Sequence, residues 1–164
     1  MINFPKIKLR KYQRGFFVIE ILVAISIITA SILAAMAVSQ KSISLSRQAL
    51  HATEAAFLLE EGAEALRIYR DNAWTNISGL SINADYYPTF TSGTWTMSTT
   101  PNTVGIFTRV VTLESVNRDN TTKDISSSGT DDPNTKLVTV TVSWNEGTTT
   151  VTKILQFYIL NIFS

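Results

Sequence analysis

The sequence predicts an α+β protein, one long N-terminal helix followed by a small antiparallel sheet. Three observations carry that prediction. From Phe16 to Glu61 the chain contains neither Gly nor Pro, so nothing there breaks a helix. Within that stretch the chain is first predominantly apolar, Phe16 to Val38, and apolar residues then recur at steps of three and four. Near the C-terminus Lys136–Trp144 alternates strictly, with Val138, Val140, Val142 and Trp144 on one face and Thr139, Thr141 and Ser143 on the other.

Residues 1–15 read as a basic leader. They hold Lys6, Lys8, Arg10, Lys11 and Arg14 and no acid. Such a cluster favours the cytoplasmic side of a bilayer, and the segment after it inserts away from it. Pro5 and the lack of apolar periodicity argue against a packed element.

Residues 16–38 are the membrane-length half of the helix. At 1.5 Å per residue they reach roughly 35 Å, against ~30 Å of hydrocarbon. Their only charge is Glu20. A carboxylate at the centre of such a helix costs roughly 2.5–3.5 kcal/mol on insertion scales, and less near its end. The run exceeds the usual 7–15 residues of a secretory h-region, although Ala34-Ala35-Met36-Ala37 keeps a conventional signal peptide as an alternative.

Residues 39–70 are the amphipathic half. Leu45, Ala49, Ala52, Ala56, Leu59, Ala63 and Leu66 form the expected apolar stripe. Glu64 and Arg67 are i,i+3 partners, Arg67 and Arg70 suit the negative end of the helix dipole, and Asp71-Asn72 ends the helix.

Residues 71–164 form the C-terminal β-rich domain. Ser, Asn, Gly and Pro mark loops over residues 71–103, with Tyr86-Tyr87 and Gly93–Met97 as short edge strands. Residues 105–117 and 136–160 are strands, the latter folded into a hairpin at Asn145-Glu146-Gly147-Thr148. The polar stretch Asn117–Thr135 is expected to be a long surface loop. Three or four antiparallel strands then pack on the distal half of the helix.

The totals exclude several functions. The 164 residues carry fourteen basic and thirteen acidic groups. All the acids follow Gly15, so without residues 1–15 nine basic and thirteen acidic groups remain, a net of −4. A nucleic-acid-binding body needs a basic face, and no nucleic-acid partner is expected. There is no cysteine, which removes disulfides, thiolate metal sites and cysteine nucleophiles.

Gly15-Phe16-Phe17-Val18-Ile19-Glu20, with the apolar run to Ile28, resembles the cleavage and methylation signal of type IV prepilins and type II secretion pseudopilins. The match covers about 25 residues at one end of a membrane-length helix. The charged leader, the Gly, the Phe and the Glu, fifth counting from Phe16, fall at the family's spacing. The strand ending in Trp144 and its Gly turn resemble the minor, PilV-like or pseudopilin-I-like subunits.

The resemblance implies a type IV pilin-like fold and a structural subunit of a pilus or pseudopilus. It implies a prepilin peptidase that cuts between Gly15 and Phe16 at the inner face of the cytoplasmic membrane and N-methylates Phe16. It implies an assembly contact at Glu20, in which the new α-amino group of a neighbouring subunit neutralises the carboxylate. The implied partners are that peptidase, other pilin or pseudopilin subunits, an inner-membrane assembly platform and membrane lipid. It calls for no cofactor. The implied location is a single pass through the inner membrane, N-terminus in the cytoplasm and C-terminal domain outside, and then the filament. The chain departs from the family at three places. Phe17 stands where many members have Thr or Ser, Ala37 where many have Pro, and the common C-terminal cysteine pair is absent.

Other chemistry finds little footing. His51, the only histidine, has no second histidine at helical spacing and reads as a structural residue. Asp119, Asp124, Asp131 and Asp132 enrich one polar stretch in oxygen but fit no EF-hand pattern, so no metal site is assigned. Neither a Gly-x-Ser-x-Gly elbow nor a phosphate-cradling Gly motif occurs, and the chain is not expected to be an enzyme. The competing reading is an uncleaved, signal-anchored extracytoplasmic binding protein.

Overall fold

The computed structural model describes residues 14–163. Most of the basic leader, residues 1–13, lies outside the described residues. The fold is α+β, as the sequence predicts. Helix α1 spans Arg14–Asn72, two residues beyond each expected end, and short α2 spans Trp74–Ser78. The strands are β1 Tyr87–Thr91, β2 Thr94–Ser98, β3 Thr103–Val104, β4 Phe107–Arg118, β5 Ile125–Ser126, β6 Thr130–Glu146 and β7 Thr149–Leu160. The chain divides into two units, one ending at Arg47 and one running from Gln48.

In the first unit α1 stands without a sheet against it. Every described side chain from Phe17 to Leu50 is exposed, the last three of these residues belonging to the second unit. The helix is long and apolar enough to cross a membrane. Two of its hydroxyls are satisfied internally: Ser26 Oγ donates to the Leu22 carbonyl at 2.7 Å and Ser31 Oγ to the Ile27 carbonyl at 2.8 Å. That is how a polar side chain is accommodated where no water can serve it.

The second unit is a two-layer sandwich of helix on sheet. The main sheet has the order β3-β4-β6-β7, with β5 pairing to β4, and all pairs are antiparallel. The β4–β6 register pairs Val111 with Val140 and Leu113 with Val138. Those four side chains, with Val142, Trp144, Phe107 and Ile159, form the sheet's core face. The helix supplies Ala55, Leu58, Leu59 and Leu66 to the same core.

The buried stripe matches the expected one at Leu59, Ala63 and Leu66 and departs from it elsewhere: Ala55, Leu58, Gly62 and Ala65 are buried, Ala52 is half-buried, and Leu45, Ala49 and Ala56 are exposed. Alanine is apolar enough to suit either side, so periodicity alone could not orient the helix. Gly62 marks the true contact line. A Cβ there would lie 2.8 Å from Val140 Cγ1 and 3.1 Å from Arg109 Cδ. Only glycine lets the two layers approach this closely.

The expected loop Asn117–Thr135 is corrected. β4 continues to Arg118 and β6 begins at Thr130, so the ladder resumes with Asn117 opposite Asp131 after a register shift following Ser115. Pro133, which has no N–H to donate, falls in that irregularity. The pairing is reinforced across the strands, because Arg118 Nε donates to Asp132 at 2.6 Å and Arg118 Nη2 to Thr135 Oγ1 at 3.1 Å. Of the short strands expected at Tyr86-Tyr87 and Gly93–Met97, Tyr87 opens β1 and Thr94–Met97 lie in β2, which pair as a separate two-stranded sheet, while Tyr86 bridges to Val111 of β4. The β6–β7 hairpin turns at Gly147-Thr148, where Gly147 has φ +65° in the first central position, as a type II′ turn requires.

Candidate functional site

The Gly15–Phe16 bond lies at the first residues of α1, immediately after Arg14. Glu20 follows one helical turn later, and its side chain is exposed. It is the only charge between Phe16 and Val38. The carboxylate therefore stands on an apolar cylinder close to the positive end of the helix dipole. A cation delivered near it would remove the cost of carrying that charge into an apolar phase.

His51, read from the sequence as a structural residue, is tied to the far end of the sheet. Its Nδ1 lies 2.5 Å from Glu146 Oε1, and the same oxygen accepts the Trp144 indole N–H at 2.8 Å. The imidazole meets the Phe107 ring edge-on, with centroids 6.1 Å apart. One carboxylate at the β6–β7 turn thus gathers a helix residue and a strand residue. A shallow cleft of about 380 Å³ opens beside it, between Gln48 and Ala52 of α1 and Thr149, Val151 and Lys153 of β7.

Sequence reading missed Arg109. Its side chain is 3 % exposed and lies on the core face of β4, opposite Val142. Nη1 reaches Glu61 at 3.2 Å and the Leu58 carbonyl at 3.5 Å, and Nη2 donates to the Pro88 carbonyl at 3.2 Å. The guanidinium carbon lies 5.6 Å from the centre of the Trp95 ring. Nε has no partner. One side chain therefore joins α1, β1, β2 and β4. The signal available in the sequence was a lone Arg at an inward position of an alternating strand.

Two of the four aspartates of the 117–135 stretch, Asp119 and Asp132, have separate structural tasks. Asp119 accepts the backbone N–H groups of Thr121 and Thr122 at 2.7 and 2.8 Å, and these bonds, Thr122's foremost, hold its carboxyl below the usual range. Asp132 is likewise lowered, first by the Thr135 hydroxyl and then by Arg118. Among the described residues, no three His, Cys, Asp or Glu side chains converge as a metal site.

Comparison with protein-family models, with curated proteins and with solved structures finds no match. The resemblance to pilins and pseudopilins thus stands on the Gly15–Glu20 pattern and on an architecture consistent with it, a long apolar N-terminal helix with an antiparallel sheet packed on its distal part.

Proposed function

We propose that this chain is a structural subunit of a type IV pilus or a type II secretion-type pseudopilus, cleaved by a prepilin peptidase after Gly15 and assembled through its N-terminal helix. One observation carries the reading. An α-helix of membrane length has its side chains exposed from Phe17 onward and bears a single charge, Glu20, one turn after a Gly-Phe junction with a basic leader before it. That surface is at rest in only two environments, lipid and the interior of a bundle of like helices. Cleavage creates an α-amino group on Phe16. In lipid Glu20 is a liability, whereas in a bundle the amino group of a neighbour compensates it. Cut and assembly are thereby coupled: the cation that Glu20 needs does not exist before proteolysis. The chain inserts with its C-terminal domain outside the cytoplasm, because the leader's positive charges stay inside.

Mass spectrometry of the chain from cells that produce it tests the reading. The expected product begins with N-methyl-Phe16. A chain retaining Met1–Gly15, and sedimenting as a monomer in detergent, points instead to a signal-anchored binding protein.

A further inference from the structure

The face of the main sheet turned away from α1 carries almost no charge. Residues directly opposite one another on antiparallel strands share a face. The registers of β4, β6 and β7 align Glu114 with Leu137 and Tyr158, alternating with the core row Leu113, Val138 and Phe157. In the outward rows that begin at Thr108, Val110, Thr112 and Glu114, Glu114 is the only charged residue. At the end of this face β4 shifts register after Ser115, and β5 pairs with its last residues. A cavity of about 340 Å³ opens there, within the ~300–1,000 Å³ usual for small-ligand pockets. Tyr158, Leu137 and Ile125 give it apolar walls, Tyr158 being 46 % exposed. Asn117, Ser115 and Ser127 give it polar groups, and none of their side chains hydrogen-bonds to another described residue. No charged residue lines it.

We infer that this cavity binds one ring of a neutral sugar. The lining selects that chemistry both by exclusion and by fit. An anion needs a cation in the wall, and none is there. An acyl chain would cover Asn117 and the two serine hydroxyls without pairing them, which strands polar groups away from water. A sugar ring has an apolar C–H face that lies on the Tyr158 ring. Around that face stand hydroxyls that both donate and accept, as the Asn117 amide and the serine hydroxyls do. Glu114 stands on the same face two strands from Tyr158, about 10 Å at ~4.8 Å per strand. Its carboxylate repels acidic sugars and so favours uncharged ones. The site lies on the side of the sheet opposite α1, so the inference goes beyond the assembly reading and does not depend on it.

Saturation-transfer NMR on the full-length chain, held in a detergent whose head group is not a sugar, tests this. The probes are the methyl glycosides of glucose, galactose, mannose and N-acetylglucosamine, with N-acetylneuraminic acid as the acidic probe. The expected result is transfer to the ring C–H protons of at least one neutral glycoside and none to the acid. Tyr158→Ala abolishes the transfer, whereas Tyr158→Phe, which keeps the ring, retains it. Asn117→Ala weakens binding about tenfold, the scale of one hydrogen bond left unmade. The Asn117 side chain has no partner among the described residues, so this variant keeps the fold, and an unchanged thermal unfolding midpoint verifies that. Thr108→Ala, on the same face but outside the cavity, leaves binding as it was. Transfer to none of the glycosides overturns the inference. So does transfer undiminished in Tyr158→Ala or Asn117→Ala, or transfer to the acid equal to that of the neutral sugars. Cleavage after Gly15 is read by mass separately, so failure here leaves the proposed processing and assembly untouched.

Discussion

Arg109 and Asp132 are charged residues with opposite surroundings. Arg109 is a guanidinium in the core whose carboxylate partner, Glu61, is half in solvent. Its worth lies in the shape it fills and in the carbonyls it serves. Arg109→Ala leaves a cavity against Val140 and Trp95 and an unserved Pro88 carbonyl, and is expected to cost about 2–4 kcal/mol. Arg109→Met keeps the volume and removes the buried charge, so its cost is expected to be smaller, below about 1.5 kcal/mol. Urea unfolding of the detergent-solubilised chain measures both, and equal losses would refute the volume argument. Asp132 behaves differently because its folded carboxyl titrates below its ordinary value of 3.8. The unfolded chain thus takes up the proton first. The stability Asp132 contributes is complete at neutral pH, begins to fall near pH 3.8 and is lost below the lowered folded value. Asp132→Asn is expected to lower stability at pH 7 and to leave the acid limb of a stability–pH curve shallower. An unchanged acid limb would show that the Arg118–Thr135–Asp132 cluster contributes nothing.

At the scale of elements, helix and sheet meet along a line that one glycine permits. Gly62→Ala gains up to about 1 kcal/mol of helix propensity, yet it drives a methyl group into the fully buried, β-branched Val140. Val140 sits in the middle strand of the ladder and cannot retreat, so a net loss of about 1–3 kcal/mol is expected. Hydrogen exchange at the Val140 and Val111 amides reports it directly, and protection that stays or rises would contradict the close-packing account. The existence of α1 and of the β6–β7 hairpin was legible in the sequence, because absence of Gly and Pro and strict alternation are local properties. The buried face of α1 was legible in part: Leu59, Ala63 and Leu66 of the expected stripe are buried, but periodicity could not choose Ala55 and Ala65 over Ala49 and Ala56. The strand pairing of Asn117–Arg118 with Thr130–Asp131 was hidden too. Polar residues in a strand signal a loop unless their partners across the ladder are known.

For the whole molecule, the described residues of the first unit bury no side chain, and the second unit has a core built from both layers. Substitutions should therefore separate by region. On the proposed assembly, Glu20→Ala is expected to leave insertion and cleavage after Gly15 intact and to lower the filament-associated fraction, since it deletes the group that a neighbour's α-amino cation would compensate. Filament yield unchanged in fractionated cells would remove charge pairing from the mechanism. Core substitutions such as Gly62→Ala should instead lower the amount of folded domain without changing the cleavage site. The candidate site rests on the sequence alone: Gly15, Phe16 and Glu20 are proposed from their spacing along the chain, which needs no tertiary structure. The sequence by itself determined the apolar helix, its single charge, the basic leader and the hairpin, all products of neighbours a few residues apart. Tertiary structure alone decided that Ala55, Leu58 and Ala65 complete the buried flank of α1, that Arg109 clasps four elements, and that His51 shares a carboxylate with Trp144. The clasp and the shared carboxylate bring together residues 14 to 95 positions apart, as Trp95–Arg109 and His51–Glu146 are, and no local pattern encodes such pairings.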